Sequence, residues 1–383
     1  MKMSKINQVS NKISKQSSKQ VKLSSHGNKK GHIMPFFIPM EGCPNQCIYC
    51  DQKSISGQSQ APAIADIQKA LEADFPYPME VAFYGGSFTA LPLAKQEAYL
   101  QAVRPFVIEG KVSSLRISTR PDSLDAEICS LLHEYGVATV ELGIQSFDDQ
   151  VLRLSGRNYS RQKAVEACYF IQRQGFALGI QLMTGLPGDN RQKTLASIRQ
   201  TGEINPDMVR IYPTVVLQNT PLAQLWQKGE YQPQSLLDAA ELCSEMKAFF
   251  DYRQIKIIRM GLNPSDSIEK AYLDGPYHPA FGNMVLSNLK REQMKMLLQN
   301  IDEDDLLIGV SSREIPLAIG QNKVNKTFLD ANYAHIGICG LDSLVDGSIC
   351  LLKDDIIIKI LDYYDFLLYY LDSIGLLMGN IDR

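Results

Sequence analysis

Three cysteines fall within eight residues, Cys43-Pro-Asn-Gln-Cys47-Ile-Tyr-Cys50. A Cx3Cx2C loop can aim three thiolates at three of the four iron corners of one iron–sulfur cubane. The fourth corner then stays open, and an open iron is where chemistry can take place. A structural zinc site would ask for four ligands, commonly from two CxxC-type pairs, and the chain has no second pair. Three cysteines on one tight loop cannot all pair with one another as disulfides. The other five, Cys129, Cys168, Cys243, Cys339 and Cys350, are scattered singly among apolar residues and read as ordinary buried thiols.

The elements that would position this loop alternate along the chain. Strands are expected at Ile33–Pro39, Glu80–Tyr84, Leu115–Thr119, Ala138–Ile144, Ala177–Met183 and Met208–Tyr212, each short, apolar or β-branched, and followed by Gly, Pro or polar turn residues. Helices lie between them: Ser123 caps one that stops at Gly136, and Ser160 caps another that stops at Gly175. Such βα units imply an α/β fold with a parallel sheet, either a barrel or a doubly wound sheet. The cysteine loop, Gly85-Gly86, Thr119-Arg-Pro-Asp122, Gln145-Ser146 and Gly185-Leu-Pro-Gly188 all follow successive strands. In a barrel those ends converge on one mouth. Five polar or glycine-rich strand ends in a row favour a barrel, incomplete at six units.

At 383 residues and 45% apolar composition the chain has room for a large core and two folded units. Residues 1–40 hold eight lysines and no acid, so the remainder is net acidic against an overall −3. Residues 1–31 read as a disordered basic arm, solvated or touching nucleic acid. No basic start followed by an apolar leader occurs, and the most apolar stretch, Ile356–Leu377, is broken by Lys359, Asp362, Asp365 and Asp372. A cytoplasmic protein without a membrane span is expected, its thiols kept reduced.

Taken together, the motifs resemble the radical S-adenosylmethionine (radical SAM) enzymes, a family with a Cx3Cx2C loop after the first strand of a partial (βα)6 barrel. The similarity covers roughly residues 32–260. It implies that Cys43, Cys47 and Cys50 hold a 4Fe–4S cluster and that S-adenosylmethionine chelates the open iron. Reductive cleavage, fed by a reductant such as flavodoxin or ferredoxin, would yield a 5′-deoxyadenosyl radical. By the same resemblance Tyr49 lies beside adenine, Gly85 and Gly86 admit the methionine amino group, and Gly185 and Pro187 run along adenine. Val140-Glu-Leu-Gly-Ile-Gln145-Ser-Phe147, with Arg157 twelve residues on, is similar to the oxygen-independent coproporphyrinogen oxidase branch, where the matching Gln and Arg contact the cofactor. That branch carries acids where Ser118 and Gln181 stand here, and a fourth cysteine where Gln52 stands. Porphyrin decarboxylation is therefore not implied.

Gly85-Gly-Ser87-Phe-Thr89, Ser118-Thr-Arg120-Pro-Asp122 and Val209-Arg-Ile-Tyr-Pro-Thr214 resemble the radical domain of the Elongator catalytic subunit and shorter bacterial relatives. This implies tRNA as a partner and adds Ser87, Ser118, Arg120 and Gln181 to the cofactor-binding set. No glycine-rich acetyl-coenzyme A loop is visible after the barrel, so acetyl transfer is not carried over.

Beyond the barrel (32–262), Ile255–Gly261 reads as one more strand and Gly275–Gly282 as a rigid loop in which His278 or Tyr277 faces substrate or simply packs. Residues 263–383 form a smaller α+β unit. Within it, 304–340 has the β-α-GxxG-like-α-β order of a KH module, whose loop clamps nucleotide backbone. Lys323 replaces its second glycine, and fourteen acids against six bases over 299–383 make a poor phosphate surface. Ile356–Leu377 reads as a core helix. The expected function is radical SAM chemistry on RNA. The rivals are the same chemistry on a small molecule, and a non-catalytic metal or redox protein that binds RNA.

Overall fold

The computed structural model describes residues 32–43, 47–301 and 303–377; the basic arm lies outside them. The expected strands form as β1 (Ile33–Ile38), β2 (Met79–Gly85), β3 (Val112–Thr119), β4 (Val137–Gln145), β5 (Ala177–Thr184) and β6 (Met208–Pro213). A two-residue β7 (Val216–Leu217) follows, and then β8 (Lys256–Met260). The main sheet runs β1-β2-β3-β4-β5-β6-β8, every pair parallel. Strand order that follows the chain without reversal is that of a barrel wall; a doubly wound sheet would reverse at a switch point. No described strand joins β8 back to β1, so the wall is a partial barrel of seven strands with an open seam.

Side-chain alternation explains the two sides of this wall. Val81, Phe83, Leu115, Ile117, Val140, Leu142, Leu178, Ile180, Val209 and Ile211 are fully buried beneath the outer helices. On the opposite face Glu80, Tyr84, Arg116, Glu141, Gln181 and Arg210 are joined by hydrogen bonds to one another. A parallel strand buried in apolar surroundings on both faces would be apolar throughout, so period-two polarity marks a polar lumen. Helix Arg161–Arg173 starts where expected, its cap Ser160 accepting from the Lys163 amide at 3.2 Å. Helix Ala126–Glu134 does not begin at Ser123: Asp125 is the cap, accepting from Ile128 at 2.8 Å. A carboxylate at that position also favours the positive end of the helix dipole.

After β8 the chain crosses the mouth. Helix Asp266–Ala271 packs on helix Gln52–Ser56, which directly follows the cysteine loop. Strand β9 (Tyr272–Asp274) pairs antiparallel with β7. The expected 275–282 loop ends early, because helix Phe281–Leu297 begins inside it. This helix has two faces of work: Phe281, Val285 and Leu289 join the barrel core, while Met294 and Leu297 belong to a second core. That second core lies under a sheet made of β10 (Leu306–Ser311), β11 (Ile336–Leu341), β12 (Ile349–Lys353) and β13 (Ile356–Leu361), in the order β11-β10-β12-β13. Between β10 and β11 come helix Ile315–Ile319, a turn with Asn322 and Lys323 both left-handed (φ 52° and 61°), and helix Val324–Asn332.

The closing stretch corrects the expectation of one core helix over Ile356–Leu377. It is β13 followed by helix Tyr363–Ser373, with Asp362 as the cap. The run Ile356-Ile357-Ile358 is β-branched and alternates between exposed and half-buried positions, which favours the pleated strand over a helix. The final helix returns to the barrel: Phe366, Leu367 and Leu371 enter its core, and the Tyr363 hydroxyl donates to Asp251 at 2.6 Å. Among the described residues no helix is long and apolar enough to cross a membrane.

This arrangement predicts that Phe366→Ala, which removes a fully buried ring from the last helix, destabilises the barrel by about 3–5 kcal/mol. The single tryptophan, Trp226, lies in the segment covering the cysteine loop and reports on it. Its fluorescence midpoint in urea should move to lower denaturant; an unchanged midpoint would show that the last helix adds nothing to the barrel.

Candidate active site

The cysteine loop is docked by backbone. The Gly86 amide donates to Ile38 O at 2.8 Å and the Ser87 amide to Glu41 O at 3.1 Å. A Cβ on Gly86 would lie 1.9 Å from Glu41 O, and one on Gly42 would lie 2.2 Å from Ser87 O. Only glycine at both positions lets the two chain segments approach this closely. Gln52 completes the dock, accepting from the Met40 amide and donating to Gly85 O at 2.5 Å. On its other side the loop is pinned by Ile48 N to Ser155 O (3.2 Å) and Leu222 N to Ile48 O (2.9 Å). Gly85 and Gly86, expected to admit a ligand, are thus where the protein's own backbone makes its approach.

Cys47 is buried and Cys43 and Cys50 are partly so; none of the eight cysteines is in a disulfide. Burial pushes the Cys43 thiol up, with the neighbouring Cys47 adding to it and Arg120 and Arg157 opposing. Burial and the other two thiols push Cys50 up to about 12. Thiols in such surroundings ionise when a metal takes them, since coordination deprotonates a thiol outright. Among the described residues no three His, Cys, Asp or Glu side chains are gathered as a single ion would require. The ligands of a cubane instead serve separate iron corners.

Two guanidiniums stand beside the thiols. Arg157 donates from Nη1 to Cys47 Sγ (3.3 Å) and to the Tyr49 hydroxyl (3.4 Å), from Nη2 to Gly143 O, and from Nε to the Tyr159 hydroxyl (2.9 Å). The Arg157 and Arg120 guanidiniums lie 5.1 and 5.3 Å from the Tyr159 ring centre. Arg120 grips Asp122 through Nε and Nη2 at 2.8 and 2.7 Å. Its Nη1 is buried without a partner among the described residues. Two buried cations with one carboxylate between them leave surplus positive charge around the thiols. Three thiolates and the anionic cluster they hold would balance it, so the residues fit that group.

The other expected residues are distributed as follows. Gln145 sits at the end of β4 with φ 71°, a strained setting for a residue with a side chain. It meets Arg157 over Gly143, where a Cβ would lie 3.0 Å from Gln145 Nε2 and 3.4 Å from Arg157 Nη2. Ser87 joins Thr119 (2.8 Å) and accepts from the Arg120 amide (3.2 Å). Tyr49 packs with Ile48, Trp226 and Leu273 in an apolar cover over the loop. Gly185 (φ 72°) is closed over by Gln234, whose Oε1 lies 2.7 Å from where a Cβ would be, and its carbonyl accepts from the Tyr231 hydroxyl at 2.6 Å. Pro187 lies in the same turn. The His278 Nδ1 accepts from the Ala280 amide at 3.0 Å and its Nε2 lies 3.3 Å from Gln321 Nε2. Tyr277 packs against Tyr272.

Deeper in the lumen is a network that reading the chain missed. Glu141 Oε1 accepts from Arg116 Nη1 (2.8 Å), the Tyr84 hydroxyl (3.0 Å) and Arg210 Nη2 (3.0 Å). Its Oε2 accepts from Arg210 Nε and from Gln181 at 3.3 Å. Arg116 also reaches Glu80 at 2.8 Å. Ser118 faces the same lumen one turn of the pleat above Arg116. The signal was present in Val140-Glu-Leu-Gly and Val209-Arg-Ile-Tyr: a lone charge alternating with apolar residues in a parallel strand must point into a polar interior.

Comparison with known proteins matches residues 37–200 to the Radical SAM superfamily and residues 206–291 to the Radical_SAM C-terminal domain. The chain belongs to the radical SAM superfamily. Members of it are enzymes that use a 4Fe–4S cluster and S-adenosylmethionine. The chain is 25% identical over 237 residues to a tRNA uridine(34) acetyltransferase of Methanocaldococcus infernus, covering 57% of this chain and 44% of that protein. It is 26% identical over 191 residues to Elongator complex protein 3 of Mus musculus, covering 44% of this chain and 35% of that one. The chain thus spans less than half the length of these relatives. An N-terminally truncated archaeal Elp3 of M. infernus shares the fold, with a TM-score of 0.54 at 21% identity over 69% of this chain and 64% of that one.

Burial alone would raise the Glu141 carboxyl, but Arg210 and Arg116 hold it below the usual carboxylate range. A depressed folded value means that the charged form adds stability above the unfolded-state pKa, and that this is lost as pH falls through the folded one. Glu141→Gln should therefore cost about 3–5 kcal/mol at neutral pH by leaving buried guanidiniums uncompensated. It should also flatten the acid limb of the stability curve. Denaturant unfolding from pH 7 downward checks both, and a variant that tracks the parent at every pH would contradict the network.

Proposed function

We propose that this enzyme carries out radical SAM chemistry on RNA, modifying tRNA in the cytoplasm. The observation that carries the radical part is the meeting of Cys47, Arg157 and Gln145 over Gly143. There a thiol of the Cx3Cx2C loop shares a cation with the end of β4. The RNA part is supported by the names of the relatives, tRNA uridine(34) acetyltransferase and Elongator complex protein 3. The acetyl transfer in the first of those names is left aside, because the match takes in only 44% of that protein.

In this reading Cys43, Cys47 and Cys50 hold the 4Fe–4S cluster. When bound, the cluster and S-adenosylmethionine supply a 5′-deoxyadenosyl radical, with the electron coming from a flavodoxin- or ferredoxin-like donor. The remaining work falls to side chains. Arg157 steadies the Cys47 thiolate by a charge-assisted hydrogen bond, and Arg120 adds a second positive charge. Gln145 and Arg157 present donors to a cofactor carboxylate at the β4 end. Ser87 and Ser118 offer hydrogen bonds along the upper lumen and Gln181 deeper in it, and Gly185 and Pro187 offer backbone at the β5 turn. Tyr49, Trp226 and Leu273 exclude water from the loop.

The test is anaerobic reconstitution with iron and sulfide, followed by electron paramagnetic resonance with and without S-adenosylmethionine, and by 5′-deoxyadenosine release with and without bulk tRNA. A cubane signal perturbed by S-adenosylmethionine is expected, with tRNA-stimulated release that falls to background in Cys47→Ala. Release that responds to small molecules and not to tRNA would overturn the RNA part. Absence of a cubane signal would overturn the whole reading.

A further inference from the structure

Among the described residues, the lumen side of the wall carries a cation with no task in that mechanism, Arg259. Arg259 lies on β8, the last strand of the wall, in register with Arg210 on β6. In-register residues of neighbouring strands share a face, so both side chains belong to the lumen side. The edge of β8 beyond Arg259 borders the open seam. Arg116 and Arg210 are both spoken for by Glu80 and Glu141. Arg259 donates only through Nε, to Gly261 O at 2.8 Å, and no carboxylate pairs with it among the described residues. Both its Nη groups thus remain to donate. Burial lowers its affinity for the proton and the neighbouring Arg210 lowers it further, while Tyr212 opposes. A guanidinium held among other donors is an unbalanced charge that an incoming anion would relieve. Tyr212 accepts from Arg210 Nη1 at 3.4 Å, and as an acceptor in that bond its hydroxyl keeps a proton to donate.

We infer that Arg259, with Tyr212 and Arg210 beside it, is a phosphate-reading subsite at the open seam, gripping a phosphodiester of the RNA next to the nucleotide drawn into the lumen. This rests on the RNA reading above. An enzyme that acts on a base must take it out of the stack and into a pocket, and the phosphates on either side of it then stop at the rim. β8 is the edge strand at the seam, and Arg259 is its cation in register with the lumen-facing Arg210. The two Nη donors of a guanidinium match two phosphate oxygens at once, which a lysine cannot do.

The experiment uses the full chain, reconstituted with its cluster, as parent, Arg259→Gln and Arg259→Lys. Binding to bulk tRNA is measured over a salt series, with 5′-deoxyadenosine release followed in parallel. Thermal unfolding and the RNA-free cluster signal establish that the variants are folded. Arg259→Gln should weaken binding about tenfold or more and reduce the slope of log affinity against log salt by about one. Arg259→Lys should keep the parental slope and lose part of the affinity, because the charge remains and the fork does not. A folded Arg259→Gln with the parental affinity and slope, while the parent binds tRNA and responds to it, overturns the subsite and leaves the RNA reading standing. A parent that neither binds tRNA nor releases 5′-deoxyadenosine in response to it overturns both.

Discussion

One buried carboxylate organises the interior of this barrel. Glu141 on β4 receives hydrogen bonds from Tyr84 on β2, Arg116 on β3, Gln181 on β5 and Arg210 on β6. Five of the seven strands are therefore referred to a single pair of oxygen atoms. The wall is not closed, so it cannot rely on a ring of strand pairings to set its curvature. Nor can it fill its middle with branched apolar side chains, as a closed eight-stranded barrel does, and still leave room for a ligand. A charged hub solves both problems, at the expense of desolvating four ionised groups that must all be present for any of them to be tolerated.

The mouth follows from that hub. With the strands held at fixed spacing, the ends of β1, β2, β3 and β4 bring the cysteine loop, Gly86, Arg120 and Gln145 into one neighbourhood. Two glycines let the loop lie on the β2 turn with backbone against backbone. Arg157 then bridges from the loop to β4, and Tyr159 supports both guanidiniums from below. The cations sit where three thiolates need them, and the apolar cover of Tyr49, Trp226 and Leu273 raises the strength of every charge beneath it.

Much of this was legible in the chain because it is local. The Cx3Cx2C spacing, the glycine-rich strand ends and the βα alternation each lie within a dozen residues. Gln145 and Arg157 were singled out too, through a family resemblance whose motif spans only twelve residues; both side chains come close to Gly143. The Glu141 hub was not, because its partners lie 25 and 69 residues away and no local pattern links them. Gly86 was legible as a point of close approach, but a glycine does not say what approaches; here it is Glu41 O. The closing stretch misled for another reason. Composition marked it as apolar, and only the β-branched run from Ile356 and the cap at Asp362 divide it into a strand and a helix.

The barrel core is finished by elements that lie far along the chain from its wall. Helix Phe281–Leu297 and helix Tyr363–Ser373 both lay side chains into it, the second from a hundred or so residues beyond the last strand of the wall. On the ribosome the seven strands and their own helices emerge first, with an uncovered apolar flank along helix Leu236–Tyr252 waiting for its partners. A nascent barrel can collapse, but it cannot cover this flank before helix Tyr363–Ser373 has been made. The cysteine loop does not share this wait: its backbone partners around Gly86, Ser155 and Leu222 all precede both helices in the chain, so its dock can form while the flank is still bare.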